Sequence, residues 1–196
     1  VSVDCITISK NQYDFTKKRI FNSGLNNKVN VKFLDYRDVK DKYDHVVSIE
    51  MIEAVGEEYM DKYFETIKKV LNKDGTAAIQ GIAIKNELFN RYRGNEDFIQ
   101  KYIFPGGFLP SINFMEKLIK KNDLKLEKIN TYSDDYARTL ATWRENFLGV
   151  WDKISPLGFD DYFKRMWEFY LSYCEGGFKS RNINLIQFSM SNKYLS

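Results

Sequence analysis

Lys42-Tyr-Asp-His-Val-Val-Ser-Ile-Glu-Met-Ile-Glu-Ala-Val-Gly56 is the stretch whose reading decides the fold. Within it, Val46-Val-Ser-Ile49 is a short apolar run, the pattern of a strand buried on both faces of a parallel sheet. It runs out into Glu50 and Glu53, two carboxylates placed where such a strand would leave the core. Open α/β sheets bind ligands outside the carboxyl ends of their strands, which makes an acid there a site candidate. The same glutamates also suit the opening turn of a following helix, where negative charge is favoured. The flanking sequence has to decide.

Ahead of this stretch, Val3–Ile8 reads as a strand, and Ser9 caps a helix running to about Asn22, with Gly24 as its stop. Val29–Leu34 alternates as a second strand and ends in Asp35-Tyr36-Arg37-Asp38. Behind it, a helix from about Glu58 to Leu71 carries Tyr59, Tyr63, Ile67 and Val70 at helical spacing, and Thr76–Ile84 is a fourth strand. Strands alternating with amphipathic helices imply a parallel sheet with right-handed crossovers. Past Ile84 the chain turns polar and aromatic, then passes through Ile103-Phe-Pro-Gly-Gly-Phe-Leu-Pro-Ser111, a breaker-rich loop. Phe114–Asn122 reads as a helix and Leu124–Tyr132 as a strand. Tyr136 to about Trp151 and Tyr162–Tyr173 are aromatic helices, and Asn184–Met190 is a closing strand. Two late strands interrupted by helices predict an antiparallel sheet edge, with the insertion folded as a cap over the crevice.

Composition sets the bounds. The 196 residues suffice for one domain with a sizeable core; 29% are charged and 43% hydrophobic, an ordinary folded composition. A net charge of +3, spread over helical lysines, gives no footprint for nucleic acid. Aromatic residues reach 16% and crowd into the second half, which fits either an aromatic core or a wide apolar pocket. Cys5 and Cys174 have no metal or disulfide-framework spacing, which fits a reducing, cytosolic setting and buried thiols. No apolar run approaches the roughly 20 residues that span a bilayer. The chain opens on Val1, directly in a strand, as a fragment with a start upstream would.

Three strand ends, Thr7–Gln12, Asp35–Arg37 and Ser48–Glu53, are expected to converge on one sheet edge, with Gln80–Ile82 beside them. Short polar groups and acids there suit a nucleoside: carboxylates accept from ribose hydroxyls or an adenine amino group, and Tyr36 suits a purine face. Any α/β protein places polar groups at this edge, so the bare pattern is weakly specific. No P-loop and no serine-type triad is present, and the single histidine, His45, falls at the far end of its strand. Proton transfer would therefore fall to a carboxylate, a tyrosine or a bound ion.

Thr7-Ile-Ser-Lys-Asn-Gln12, Asp35-Tyr-Arg-Asp38, Val47-Ser-Ile-Glu-Met-Ile-Glu-Ala-Val-Gly56, Ile103-Phe-Pro-Gly-Gly-Phe-Leu-Pro-Ser111 and Asp135-Tyr-Ala-Arg-Thr-Leu140 occur in that order. Together they resemble the S-adenosylmethionine-dependent cyclopropane-fatty-acyl-phospholipid synthases and mycolic acid cyclopropane synthases over essentially the whole chain. The resemblance implies an α/β, Rossmann-like class I methyltransferase lacking its first strand and glycine-rich loop, with a helical cap over a lipid site. It implies one partial domain over 1–196, with the cofactor-binding half of the sheet at 1–84 and the substrate side at 85–196.

The implied reaction is transfer of a methylene from S-adenosylmethionine to the cis double bond of an unsaturated phospholipid acyl chain, with bicarbonate as base. Alternatives are methylation of another acceptor (a small amine, or a lipid gaining a methyl branch), or a truncated lipid-binding relative without catalysis. By resemblance, Glu53, Tyr136, Gln80 and the Ile82 backbone hold the bicarbonate. Thr7, Ile8 and Gln12 touch the ribose and amino-acid portion of the cofactor, Asp35, Tyr36 and Arg37 flank adenine, and Ser48 and Ile49 lie beside the sulfonium. Gln80 stands where some members carry histidine, and neither cysteine matches the family's bicarbonate-binding cysteine. The chain is expected to bind cofactor poorly without the missing loop. A cytoplasmic protein in peripheral contact with the membrane is implied, with no nucleic-acid partner and a homodimer left open.

Overall fold

The computed structural model describes residues 1–192. Strand β1 (Val3–Thr7) leads through helix α1 (Lys10–Asn22) to β2 (Val29–Phe33), its parallel partner. Ser9 caps α1 by accepting from the Gln12 N–H. Strand β3 (Tyr43–Ile49) is followed by 3₁₀ turns at Ile52–Ala54 and Glu57–Tyr59, helix α2 (Met60–Val70) and the long strand β4 (Leu71–Ile84). Helices α3 (Asn86–Arg93) and α4 (Phe98–Tyr102) occupy the polar, aromatic stretch, which sequence pattern left without regular structure. An Asp97–Gln100 capping box starts α4. Helix α5 (Ile112–Lys121), β5 (Leu124–Thr131), α6 (Ser133–Gly149), α7 (Trp151–Ile154), α8 (Asp161–Lys179) and β6 (Ile183–Asn192) complete the order.

The strands form two sheets, β1–β2 and β3–β4–β6–β5. β3 and β4 are parallel, and β6 enters antiparallel between β4 and β5, which makes the expected antiparallel edge two strands wide. β1 and β3 are not paired with each other. A side-chain hydrogen bond links them, the Tyr43 hydroxyl donating to Asp4 at 2.7 Å, while Lys32 of β2 pairs with Asp4 at 2.8 Å within the small sheet. Asp4 is held below the usual carboxylate range by Lys32 first and Tyr43 second.

Side-chain alternation along the larger sheet sends its two faces to different cores. On one face Ala77, Ile79, Ile186, Phe188 and Met190 pack against Met60, Phe64 and Ile67 of α2 and Met115 and Ile119 of α5. On the other, Ile82 and Leu185 near the carboxyl end of β4 meet Ala137 and Leu140 of α6 and Leu171 and Phe178 of α8. The rest of that second face is bare. Val47 is 68% exposed and Ile49 60%, which corrects the expectation of a strand buried on both sides. An apolar run by itself does not reveal which face a helix will cover.

The cap is tied together by a buried charge. Glu175 of α8, 5% exposed, pairs with Arg144 of α6 at 3.1 Å and with Lys179 one turn along. Arg144 also donates to Ser172 at 2.8 Å. Arg144→Ala should therefore cost about 1.5–3 kcal/mol in urea unfolding, the range for hydrogen bonds to charged groups. Lys179→Ala, an exposed partner, should stay within about 1 kcal/mol.

Candidate functional site

At the end of β3 the chain must leave the sheet within one residue, and it does so at Glu50, whose φ is 50°. The left-handed region costs a side-chain-bearing residue about 1–2 kcal/mol. Compensation comes from the backbone and the side chain together. The Glu50 N–H donates to the Gln80 carbonyl at 2.8 Å. One carboxylate oxygen accepts from Gln80 Nε2 at 2.8 Å and the other from the Tyr136 hydroxyl at 3.0 Å. Gln80 in turn accepts from Gln187 Nε2 at 2.7 Å, its direct cross-strand partner on β6. A carboxylate offers no hydrogen when ionised, so the Gln80 amide has one orientation, nitrogen toward Glu50 and oxygen toward Gln187.

Three residues on, Glu53 lies in the 3₁₀ turn Ile52–Ala54 and turns back over β4. Its Oε1 accepts the Ile82 N–H, while its Oε2 is buried without a hydrogen-bond partner. This approach requires Gly81. A Cβ there would sit 2.5 Å from Ile52 Cγ2 and 3.2 Å from Glu53 Oε1. The breaker-rich loop holds the same turn from the other side, the Phe108 N–H donating to the Glu53 carbonyl at 2.9 Å. Burial is the largest influence on Glu53 and raises its pKa, and the charge of Glu50 acts in the same direction. Hydrogen bonds from its own backbone and from Ile82 oppose that rise.

The cap supplies an aromatic wall. Tyr136 rests on Phe178 (centroids 4.7 Å apart) and beside Trp143, while Tyr170 contacts Trp167 and Phe104. Burial first, then Glu50, raises the Tyr136 hydroxyl well above its ordinary range. Burial likewise pushes Tyr170 up to about 12, with smaller effects from Cys174 and Glu50. Of the other aromatic residues in this half, Phe108 lies in the sheet core with Phe89 and Phe114, and Trp151 is buried against Phe147.

A model of the family described as mycolic acid cyclopropane synthetase matches residues 1–188. The chain belongs to this family. A tuberculostearic acid methyltransferase, UfaA1 of Mycobacterium tuberculosis, is 38% identical over 186 residues, covering 94% of this chain and 44% of that protein. The cyclopropane-fatty-acyl-phospholipid synthase of Escherichia coli is 35% identical over 187 residues, 95% of this chain and 46% of that one. The mycolic acid cyclopropane synthase CmaA1, solved with SAH and CTAB, superposes with a TM-score of 0.87 at 25% identity, over 97% of this chain and 70% of its own. The chain thus spans less than half the length of the two sequence relatives.

Within this chain, Glu53, Tyr136, Gln80 and Ile82 come together at the carboxyl end of β3–β4. The donors expected to face an added anion have partners in the chain itself: Tyr136 and Gln80 donate to Glu50, and the Ile82 N–H to Glu53. Among the residues expected at the cofactor, Tyr36 and Ser48 line a cleft of about 140 Å³ between β1, β3 and α2, with Ile6, Met51 and Tyr63. Tyr36 OH and Ser48 Oγ are buried there with no hydrogen-bond partner among the described residues. Thr7 donates to Gln12 at 2.8 Å, and Arg37 clamps Asp35 through both carboxylate oxygens at 2.9 and 2.7 Å. Arg37 holds Asp35 below the usual carboxylate range. Ile8 (71% exposed) and Ile49 point to the surface. Gln187 is a part of the site with no mark in the sequence; Gly81 was visible only within the Gln80–Ile82 strand end, Tyr170 only as one of the aromatic residues that could line an apolar tunnel, and Glu50 only as an acid after a strand.

A carboxyl raised by folding contributes its full stability below the ordinary carboxylate value and loses it as pH rises through the raised one. Glu53→Gln, which does not ionise, should gain stability relative to the wild type as pH rises from about 4 to about 8, read from paired urea midpoints. Gly81→Ala must displace Ile52 and Glu53, and should lower stability by about 1–3 kcal/mol in the same assay.

Proposed function

We propose that the protein to which this chain belongs transfers a one-carbon unit from S-adenosylmethionine to the cis double bond of an unsaturated phospholipid acyl chain. The observation that carries the reading is the juxtaposition of Glu50, Glu53 and Tyr136 with an aromatic cap, in a chain of the cyclopropane synthetase family. S-adenosylmethionine supplies, when bound, an electrophilic methyl group. The residues present fit it: Tyr36 OH, expected beside adenine, and Ser48 Oγ, expected beside the sulfonium, are buried on one cleft with no hydrogen-bond partner among the described residues, where hydroxyl and amino groups would satisfy them. By resemblance, Asp35 and Arg37 flank adenine, Thr7, Ile8 and Gln12 lie by the ribose and amino-acid portion, and Ile49 lies by the sulfonium; these six stand outside the lining of that cleft. Residues 1–84 thus serve the cofactor and 85–196 the acyl chain.

On the substrate side, Phe104, Trp143, Trp167 and Tyr170 give the acyl chain an apolar wall. Their ring faces and the two carboxylates favour the positive charge that an attacked alkene develops. Bicarbonate does not fit this arrangement as folded, because each of its expected donors already serves a carboxylate of the chain. The substrate is a bilayer lipid, so the enzyme works in the cytoplasm at a membrane face. No helix among the described residues is long and apolar enough to cross one.

A second reading, methyl branching of the same chain, is favoured by the relative named a tuberculostearic acid methyltransferase. The full-length protein, incubated with S-adenosylmethionine and vesicles of monounsaturated phospholipid, should yield fatty acids heavier by one methylene. Ring formation consumes the double bond and branching retains one; the two products have equal mass, and mild hydrogenation before mass spectrometry of the methyl esters separates them, since only the branched alkene takes up hydrogen. Methylation of an amine with lipid untouched would reject both. Tyr136→Phe should lower the lipid-modifying rate by about 10²-fold.

A further inference from the structure

The carbocation left on the acyl chain by one-carbon transfer must shed a proton, and the protein carries its own acceptor. Building on the function proposed above, we propose that the Glu50 carboxylate is the general base of this site. One C–H bond of the added carbon breaks, its electron pair closes the second C–C bond, and the proton passes to a Glu50 oxygen, to be lost to solvent on turnover.

Four observations carry this. First, Glu50 sits where glycine would be free of strain, at φ 50°; an acid kept in a costly conformation points to use of its side chain. Second, each of its oxygens accepts one hydrogen bond, from Gln80 and from Tyr136, which leaves further lone pairs open on a group that is solvent-accessible and not sealed in the core. Third, the Gln187–Gln80 pair fixes the amide that steers it, so the carboxylate is aimed before substrate arrives. Fourth, the neighbouring acid is poorly placed to accept a proton from the acyl chain, because Glu53 Oε1 is occupied by the Ile82 N–H and its Oε2 is buried. The groups facing Glu50 are Tyr136 of α6, Tyr170 of α8 and Glu53 of the turn, none of them a cation. The anion that the resemblance would bring from solution is, on this account, covalently part of the protein.

The test uses the full-length protein. In carbon-dioxide-free buffer the wild type should keep its lipid-modifying rate. Glu50→Gln, which preserves size, keeps one acceptor oxygen and puts a donor in place of the other, removing the basicity, should lose about 10²–10⁴-fold and should not respond to added anions. Glu50→Gly, which relaxes the backbone and opens the carboxylate's place, should lose as much and recover in part with bicarbonate or formate. Labelled bicarbonate should bind to Glu50→Gly and not to the wild type by NMR. Calorimetric binding of S-adenosylhomocysteine should be equal in all three proteins, which separates a missing base from a disturbed fold. A Glu50→Gln rate within about tenfold of wild type overturns the proposal. So does wild-type activity that vanishes without bicarbonate and returns with it. A wild type that modifies no lipid refutes the function itself, and the base assignment with it.

Discussion

Everything at the site depends on a close approach with no side chain in between. Where β3 ends, the chain folds back across β4 at Gly81, and the space a Cβ would fill is taken by Ile52 and Glu53. That contact lets a carboxylate reach the Ile82 N–H, which a side chain on β4 would block. Two residues before Ile52, Glu50 takes a left-handed conformation, and its carboxylate meets Gln80 and Tyr136. Two acids three residues apart therefore end in opposite surroundings, one buried and raised in pKa, one accessible and doubly hydrogen-bonded. Separation of environments is what gives paired carboxylates different roles.

The cap follows from the sheet's connectivity. Because β6 runs antiparallel between β4 and β5, the segment between the last two strands starts and finishes at the carboxyl end of β4. Helices α6 and α8 fold over that end and close on Ile82 and Leu185, which delivers Tyr136 to Glu50 from 86 residues away. The Arg144–Glu175 pair fixes the two helices to each other, and so fixes the height of the aromatic wall above the acids. Farther along the same face Val47 and Ile49 are exposed among the described residues, and β1–β2 stands as a sheet of its own, linked to β3 by the Tyr43–Asp4 hydrogen bond.

Periodicity carried the element order, because helices and strands bury apolar residues at different spacings and most segments here are strongly periodic. It put the fourth strand, Thr76–Ile84, and the closing strand, Asn184–Met190, within a few residues of β4 and β6. It missed α3 and α4, both short and mostly polar: α3 packs Leu88, Phe89 and Tyr92 on the core, and Asp97 caps α4. It also misjudged β3, since a run of apolar residues looks the same whether one face or two find a partner.

By itself the sequence determined the family and the α/β class, because motif order and short-range spacing are written along the chain. Only the tertiary structure decided which donor serves which acid. That Tyr136 and Gln80 belong to Glu50, that Ile82 belongs to Glu53, and that Gly81 permits both depends on contacts between residues far apart in sequence. The distances that settle them arise when strands register and helices pack, and local propensity carries no trace of either.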